Sequence, residues 1–516
     1  MINCSAFQHC FFIEGRVMNK KEALKIYKDQ IKKMQAYYLA MATLGFDRLT
    51  IAPKDGSDFR NEMISVLDGE YYQVQTDPKF VEAVLYLAEQ DLGKVMNRDL
   101  YLAKRSLEDV LKFSKEEMME FSLEQMKGND LWYEAKMKDD YSIFKDQLIK
   151  LIELSKKKLE RRNPKKPSYD IFLDDFEEGM DQKKYDHFFS LIKKELLPLI
   201  KKINKKKGYI DDSFLYLYYP AEKQALFMKD VMEYLGYSST WGYLGVTEHP
   251  FTNGISRNDV RVTTNYDEHN IASAIFSVIH ECGHAFYEHQ VDPKYDDLIY
   301  IRYMSSGMHE SQSRFFENYL ARRKSFFKLL YPKLQEYFPE NLGNVSLDDF
   351  IRAINASQSS LIRTEADELT YPIHILIRYE LEKDIFNGKV DLNNLDKLWD
   401  EKYEKYLGIK AEKVSDGILQ DIHWSDASFG YFPTYALGSA IGAQLIHQME
   451  KDLNVDELLE KGKFNKITSY LKKNVQHYGA LYNFEEIMKL ATGEGFDPKY
   501  YIDYLKDKYT KLYDIK

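Results

Sequence analysis

The chain has 516 residues, with 72 Lys and Arg against 82 Asp and Glu, so its formal net charge of −10 gives no support to a nucleic-acid or anionic-membrane partner. A hydrophobic content of 44 % can fill a large core, and only 25 Gly and 13 Pro favour long helices over many short strands. Three cysteines, an odd number without scaffold-like spacing, indicate a reducing compartment, for which we predict the cytoplasm. No stretch approaches the roughly eighteen uninterrupted apolar residues of a membrane span.

The start of the chain differs in pattern from the rest. Residues 1–17 lack the basic start and the apolar run of a secretory signal, whereas Met18 opens a stretch with apolar residues at helical spacing. We interpret 1–17 as a non-native or upstream-start extension and 18–516 as one large, mainly α-helical domain with a deep substrate cleft. A lid-like helical half, about 18–248, is expected to precede the segment that carries the chemical motifs, about 249–435.

A small β element is predicted in the middle of the chain. Residues 249–266 contain a Pro, an Asn-Gly turn signal and β-branched alternation, which indicate a loop or hairpin with a short strand. The later elements are predicted in this order: helices from about 268, near 306–329 and near 348–387 with a break at Pro372, a loop-rich segment at 411–434, and closing helices.

The stretch "SVIHECGHAFYEH" at 277–289 carries the strongest chemical signal. At helical spacing one stripe is apolar: Ile271, Ile275, Val278 and Cys282. His280 and His284 project from the opposite, polar side, which weakens the alternative that they are buried core histidines. Histidines four residues apart on a helix can bind one metal ion, and Glu281 beside them can reach water on that ion as a general base. Cys282 is expected to pack in the core.

A catalytic zinc site needs a third protein ligand, and "GMHESQSRFFENY" offers one. Glu310 follows His284 at a distance that allows a second helix to return antiparallel to the first. His309 is the competing ligand, but it points about 100° away from Glu310 on a helix. The alternative for Glu310 is a solvated ion pair with Arg314 at i+4.

These residues resemble the carboxypeptidase Taq family, also called thermostable carboxypeptidase 1. The resemblance is carried by six motifs in order: "HPF" at 249–251, "DVRVT" at 259–263, "HECGH" at 280–284, "HESQ" at 309–312, "IRTEAD" at 362–367 and "GILQDIHW" at 417–424. It implies an almost all-helical fold with a long cleft and a short β element near the site. It also implies a homodimer that removes single residues from peptide C-termini, and one divalent metal ion, zinc or cobalt, held by His280, His284 and Glu310.

Candidates for the remaining catalytic roles follow from the reaction. Besides Glu281 as general base, the tetrahedral oxyanion needs donors, and the loop at 420–435 offers His423 and the tyrosines Tyr431 and Tyr435. The alternative is that these aromatic residues only pack. Asp259 and Glu317 are candidates for orienting the ligand imidazoles.

A carboxypeptidase also needs a fixed cation for the free C-terminal carboxylate of its substrate. Arginine suits this role because its guanidinium binds a carboxylate through two parallel hydrogen bonds. Arg363 is the first candidate and Arg261 the second, with Gln420 and His249 as further substrate-binding candidates. The alternative for Arg363 is a structural ion pair, for example with Asp367.

Two other functions stay open at this point. One is a different helical zinc peptidase, an oligopeptidase or a dipeptidyl carboxypeptidase, which would share the metal-binding motif. The other is a non-catalytic helical metal-binding protein, although a structural zinc site would want a fourth protein ligand, for which the sequence shows no candidate.

Overall fold

The computed structural model describes residues 18–302 and 304–515, so the predicted extension at 1–17 lies outside the described residues. The described chain is 69 % helical with one small three-stranded sheet, which confirms the mainly α fold. None of its helices combines the length and the hydropathy needed to cross a bilayer. The division into a lid-like half and a motif-bearing segment stays a prediction.

Long helices build the part of the described chain that precedes the sheet: α1 (Lys20–Thr50), α2 (Ser57–Gln75), α3 (Pro78–Ala88), α4 (Lys94–Val110), α5 (Lys115–Lys138), α6 (Ser142–Arg162), α7 (Asp170–Phe176), α8 (Gln182–Asn204) and α9 (Ala221–Leu235). Several begin at a side chain that accepts main-chain N–H groups of the first turn, such as Asn19, Ser114 and Asp181. Helices α1, α3 and α4 enclose a small core of their own, whereas α6, α8 and α9 contribute to the main core.

The sheet has the strands β1 (Gly242–Val246), β2 (Thr252–Ser256) and β3 (Asp259–Thr264), with β3 in the centre. β2 and β3 form the predicted antiparallel hairpin, in which Thr252 pairs with Val262. β1 lies parallel to β3 on its other side and was not expected from the sequence. Val260 and Val262 are fully buried, and β2 and β3 both pack against the helix that follows them.

That helix is α10 (Ile271–Gln290), which carries the H-E-x-x-H motif. The remaining helices are α11 (Ser306–Arg314), extended by a π-helical turn at Phe315–Leu320, then α12 (Lys324–Tyr337), α13 (Pro339–Leu342), α14 (Leu347–Ile354), α15 (Tyr371–Phe386), α16 (Leu395–Leu407), α17 (Pro433–Asp452), α18 (Val455–Glu460), α19 (Phe464–Asn474), α20 (Phe484–Thr492) and α21 (Lys499–Leu512). The loop-rich segment predicted at 411–434 is confirmed, since α17 begins at Pro433.

Two helix predictions were wrong in extent. The helix expected over 348–387 is two helices, α14 and α15, joined by a mostly non-helical segment at 355–370. Pro372 does not break a helix but lies in the first turn of α15, where its missing N–H costs nothing. The helix expected over 306–329 is interrupted at 321–323, where Arg322 donates a hydrogen bond to the carbonyl of Ile354. This tertiary contact leaves no signal in the local apolar spacing.

Glycines allow α11 to lie in close contact with both α10 and α17. A Cβ atom added at any of three glycines would clash with α11 or its π-helical extension: at Gly283, 2.5 Å from Gln312 O; at Gly438, 2.8 Å from Glu310 Cβ; and at Gly442, 2.7 Å from Tyr319 Cε2. Atoms cannot approach this closely, so each contact requires glycine. The position of Glu310 is therefore set by backbone packing on two sides.

The N-terminus of α11 is held from a third direction. The buried carboxylate of Glu177, at the end of α7, accepts a hydrogen bond from Gly307 N at 2.9 Å. It satisfies one of the N–H groups that the first turn of a helix leaves without a partner. α11 is thus fixed along its axis as well as across it.

We predict that Gly442→Ala destabilises the protein by about 1–3 kcal/mol, because the added methyl group overlaps the ring of Tyr319 in a filled core. The measurement is the urea midpoint of metal-free protein, followed by circular dichroism.

Gly69→Ala is the matched control, since Gly69 lies in the exposed helix α2 and a Cβ there meets nothing within 4 Å. It should leave stability unchanged or raise it by about 0.5–1 kcal/mol through helix propensity. Equal midpoints for the two variants would show that α11 and α17 are not in tight contact at Gly442.

Candidate metal centre

The two histidines of α10 lie where the helical spacing placed them. The four residues of the predicted apolar stripe are fully buried, including Cys282, which is a free cysteine in the core. His280 and His284 are half-buried on the other side of the helix, with ring centroids 4.9 Å apart. Their side chains therefore face a space beside the core and are not part of it.

Glu310 of α11 completes a group of three potential metal ligands. Its Oε2 atom lies 3.6 Å from Nε2 of His280 and 3.4 Å from Nε2 of His284. Within the described residues, these three form a cluster whose ligand atoms all lie within 4.8 Å of one another. Metal–ligand bonds of 2.0–2.1 Å at tetrahedral angles put neighbouring ligand atoms about 3.3 Å apart, so the three residues fit a zinc-like ion.

The other ring nitrogen of each histidine also has a partner. Nδ1 of His280 donates to Oε2 of Glu317 at 2.8 Å, one of the two contacts suggested from the sequence. Nδ1 of His284 lies 2.6 Å from Nδ1 of His309. Both imidazoles are therefore oriented with Nε2 toward Glu310, and His309 lies behind a ligand and outside the three-residue cluster.

Arg314 pairs with two buried carboxylates of this site, and Arg322 adds a second positive charge beside one of them, with its Nη2 atom 3.5 Å from Oε1 of Glu317. The guanidinium of Arg314 donates to Glu310 at 2.7 Å and to Glu317 at 2.9 Å, and it lies over the ring of Tyr371. Burial alone would raise the pKa of Glu310, but Arg314 and the two histidines outweigh it and hold the pKa well below its usual value. For Glu317, Arg314, His280 and Arg322 outweigh the effect of burial and lower the pKa to about 2. The Glu310–Arg314 pair exists, but it is buried and belongs to the site.

Glu281 lies beside the cluster and is held by the sheet. Its Oε2 accepts a hydrogen bond from Thr252 Oγ1 of β2 at 2.6 Å, and its side chain is almost fully buried. Burial raises the pKa of Glu281, against the opposing effects of His280 and Thr252. A buried carboxyl with a raised pKa is the environment that general bases of this kind have.

His423 and the two tyrosines of the loop at 420–435 come together. Nε2 of His423 lies 3.0 Å from the hydroxyl of Tyr435, and the rings of Tyr431 and Tyr435 pack edge to face at 5.2 Å. Burial and the nearby charge of Glu310 raise the pKa of Tyr431 to about 12. Burial and Arg363 lower the pKa of His423 to about 3. Near neutral pH the phenol is thus protonated and the imidazole uncharged.

Arg363 belongs to a buried network with one excess positive charge. Its Nε donates to Asp421 at 2.9 Å, and Nε of the fully buried Arg378 donates to the other oxygen of Asp421 at 2.7 Å. Gln420 accepts from Arg363 N and from Arg378 Nη2. The partner of Arg363 is therefore Asp421 and not Asp367, which instead accepts hydrogen bonds from Thr370.

A sequence model of carboxypeptidase Taq (M32) metallopeptidases matches residues 26–509. The chain belongs to this family. It is 42 % identical over 492 residues to carboxypeptidase 1 of Bacillus subtilis (strain 168), a match that covers 95 % of this chain and 98 % of that protein. It is 33 % identical to thermostable carboxypeptidase 1 of Pyrococcus furiosus over 507 residues, which cover 95 % of this chain and 99 % of that one.

The fold agrees with this assignment. The crystal structure of the M32 carboxypeptidase from Deinococcus radiodurans R1 superposes with a TM-score of 0.91 at 29 % identity, covering 96 % of this chain and 100 % of that one. As a member of the family, the protein is a metal-dependent carboxypeptidase, that is, a peptide hydrolase. The family match gives no support to the non-catalytic metal-binding protein considered from the sequence.

Two of the substrate-binding candidates of this M32 carboxypeptidase, Arg261 and His249, lie in the small sheet and in one of its connections. Arg261 donates two hydrogen bonds to Asp259, each of 2.9 Å, and its guanidinium lies over the ring of Phe46 of α1. It is thus on the face of the sheet opposite Thr252 and Glu281, and Asp259 is not available to orient an imidazole. His249 is exposed in the connection between β1 and β2.

Sequence reasoning missed three functional contacts of this M32 carboxypeptidase. Thr252 lies in the predicted hairpin, but nothing in its neighbours indicates that it meets Glu281. Arg378 lies in a helix that reads as ordinary core. Asp421, by contrast, lies between Gln420 and His423 in a motif already singled out, so an acidic residue there was a signal that could have been used.

We predict that Arg314→Met destabilises the metal-free carboxypeptidase by about 3–5 kcal/mol, because the buried Glu310 loses its arginine partner and Glu317 keeps only the more distant Arg322. The measurement is the thermal midpoint with and without added zinc. Zinc should raise the midpoint of this variant more than that of the wild type, since a divalent cation supplies the missing positive charge.

Lys138→Met is the control, since it removes a cation from the exposed pair with Glu134. Its midpoint should match the wild type. A midpoint of Arg314→Met that also matches the wild type would contradict the assigned charge balance.

Proposed function

We propose that His280, His284 and Glu310 bind one divalent metal ion, and that the enzyme uses it to remove single amino acids from the C-terminus of peptides. The observation that carries this proposal is the group of three ligand atoms described above, with both Nδ1 atoms already engaged elsewhere. Two imidazoles and one carboxylate leave a fourth position open, as a catalytic site requires and a structural site does not.

Zinc is the ion that we propose, with cobalt as the alternative. The nitrogen and oxygen donors and their spacing suit zinc, but the same donor types also accept cobalt. When bound, such an ion supplies Lewis acidity, which makes water a better nucleophile at neutral pH and polarises a carbonyl group.

Glu281 is the general base in this proposal. Thr252 donates to one oxygen of its carboxylate, which fixes the side chain beside the histidines and leaves the other oxygen able to accept a proton from water. The same carboxyl then passes that proton to the nitrogen of the leaving amine. Its raised pKa makes it a stronger base than an exposed glutamate and a competent acid in the second step.

We infer that His423 and one of the two tyrosines stabilise the oxyanion. Tyr431, with its pKa of about 12, stays protonated at neutral pH and can donate a hydrogen bond. If Tyr435 donates to Nε2 of His423, the proton of that imidazole lies on Nδ1, a buried atom with no hydrogen-bond partner among the described residues. A buried N–H without a partner is costly, which favours the other arrangement, in which Nε2 of His423 donates to Tyr435 and the hydroxyl of Tyr435 can donate to the oxyanion.

Arg363 is the proposed anchor for the C-terminal carboxylate of the substrate. Arg363 and Arg378 share a single carboxylate, so one buried positive charge is left for an anion. Gln420 holds the main chain at Arg363 in place. Arg261 and His249 remain weaker candidates, because one already binds Asp259 and the other is exposed.

The remaining parts of the proposal concern assembly and location. A homodimer is proposed from the family resemblance, and light scattering should then give twice the chain mass of 60.9 kDa. A cytoplasmic location is proposed from the low cysteine content. Fractionation of the cells that make the protein would test it.

We predict that Glu281→Gln lowers kcat by about 100- to 10,000-fold while one zinc ion per chain is retained, because the amide cannot accept the proton. Elemental analysis and peptide turnover are measured on the same sample. Glu160→Gln, on the exposed face of α6, is the control and should keep full activity. Substantial turnover by Glu281→Gln would assign the base to another group.

We predict that Arg363→Ala raises KM steeply for peptides with a free C-terminus and leaves C-terminally amidated peptides little changed, because only the former carry the charge. Mass spectrometry of one unstructured peptide, as acid and as amide, with and without a chelator, follows the loss of successive residues. The wild type should produce a ladder from the acid alone, and chelator should abolish it.

Arg261→Ala serves as the comparison for Arg363→Ala. It should behave like the wild type if Arg363 is the anchor, and the opposite ranking would assign that role to Arg261. Internal cuts or loss of dipeptides by the wild type would instead indicate an oligopeptidase or a dipeptidyl carboxypeptidase.

A further inference from the structure

The two ligand histidines are supported in different ways. Nδ1 of His280 meets a carboxylate directly, whereas Nδ1 of His284 meets another imidazole, that of His309, at 2.6 Å. Two uncharged imidazoles can share a hydrogen bond only if one donates and the other accepts. A further hydrogen-bonding group must therefore determine which of the two Nδ1 atoms carries the proton.

Glu288 is positioned to determine this through a hydrogen bond to His309. It lies on α10 one turn beyond His284, and its Oε1 atom is 3.0 Å from Nε2 of His309. Its carboxylate is held by close packing against β2, because a Cβ at Gly254 would lie 2.8 Å from Cδ of Glu288. Both side chains are mostly buried, with 14 % of Glu288 and 23 % of His309 exposed.

The proton positions follow from the chemistry of the groups. An ionised carboxylate only accepts, so Nε2 of His309 carries a proton and donates it to Glu288. In a neutral imidazole the other nitrogen is then an acceptor, so Nδ1 of His309 accepts from Nδ1–H of His284. The lone pair of His284 is left on Nε2, which faces Glu310 at 3.4 Å. This is the tautomer that a metal ligand needs.

We propose that Glu288 and His309 are positioning residues that hold His284 in the tautomer and orientation required for metal binding. The inference rests on the proposed metal site. The hydrogen-bonded series from Glu288 through His309 orients the imidazole of His284. Glu317 orients the imidazole of His280 by a direct hydrogen bond. The negative charge of Glu288 also increases the electron density on Nε2 of His284, which strengthens the bond of this nitrogen to a cation.

The test is the zinc dissociation constant of variants, measured by competition with a chelating indicator, together with the visible spectrum of the cobalt-loaded protein. His309→Leu should bind zinc about 10- to 100-fold more weakly and change the cobalt spectrum, because His284 loses its acceptor. His309→Asn should recover most of the affinity, because its amide oxygen can accept near the place of Nδ1. Glu288→Gln should lie between them, because the amide no longer enforces one tautomer.

His289→Leu is the matched control. His289 lies on the same helix and is half-buried, but its Nδ1 bonds to the carbonyl of Arg257 and its ring stacks on Trp241. It should bind zinc as the wild type does. Circular dichroism of each metal-free variant checks that the fold is intact.

The outcomes separate this inference from the proposed metal site. The positioning role of Glu288 and His309 would be overturned if folded His309→Leu bound zinc as tightly as the wild type. It would also be overturned if His309→Leu and His309→Asn lost zinc affinity equally. If His309→Leu does not fold, Glu288→Gln decides, and wild-type affinity there would also overturn it. Failure of the wild type to bind zinc, or unchanged affinity in Glu310→Ala, would overturn the metal site and with it this inference.

Discussion

The close contact of α11 with α10 on one side and α17 on the other is the constraint on which the rest of the structure depends. Glycine at 283, 438 and 442 lets three backbones approach to distances that a side chain would prevent. Glu310 thereby meets two histidines of α10, while α17 begins with the tyrosine-bearing segment. A shift of α11 by the width of one methyl group would separate Glu310 from both imidazoles, since their contacts are already at 3.4–3.6 Å.

The site also depends on a balance of buried charges, which the close packing of α11 makes necessary. Bringing helices this close buries Glu310, Glu317 and most of Arg314 together, and unpaired charges in such a place would be costly. Arg314 lies between the two carboxylates and Arg322 reaches Glu317, so two arginines stand against two buried carboxylates. The network around Asp421 differs, because it has two arginines for one carboxylate. The surplus of buried positive charge therefore lies at Asp421, the region where we propose that the carboxylate of the substrate binds.

The spacing of apolar and polar residues in the sequence predicted the features that depend on nearby residues. The apolar stripe of α10 and the polar placement of His280 and His284 followed from helical spacing, and so did the helical class and the hairpin. Features that depend on residues far away in the sequence were missed. An example is the interruption of the helix at 321–323, which coincides with a contact to Ile354. The residues of the metal cluster were identified because three donors at motif spacing carry their own chemistry. Arg378, Thr252 and the partner of Arg363 were not, because their importance lies in which remote segment they meet.

The order of the segments along the chain has a consequence for biosynthesis. α10 and α11 are neighbours in sequence as well as in space, so the three proposed ligands are translated within one short stretch of the chain. Arg363, His423 and the two tyrosines are translated well afterwards, and α17 must dock before α11 is held on both sides. The proposed ligands are therefore held in their final geometry only after α17, which is translated much later, has docked against α11. A chain that ends before α17 would carry all three ligands but not the packing that fixes Glu310 beside the histidines.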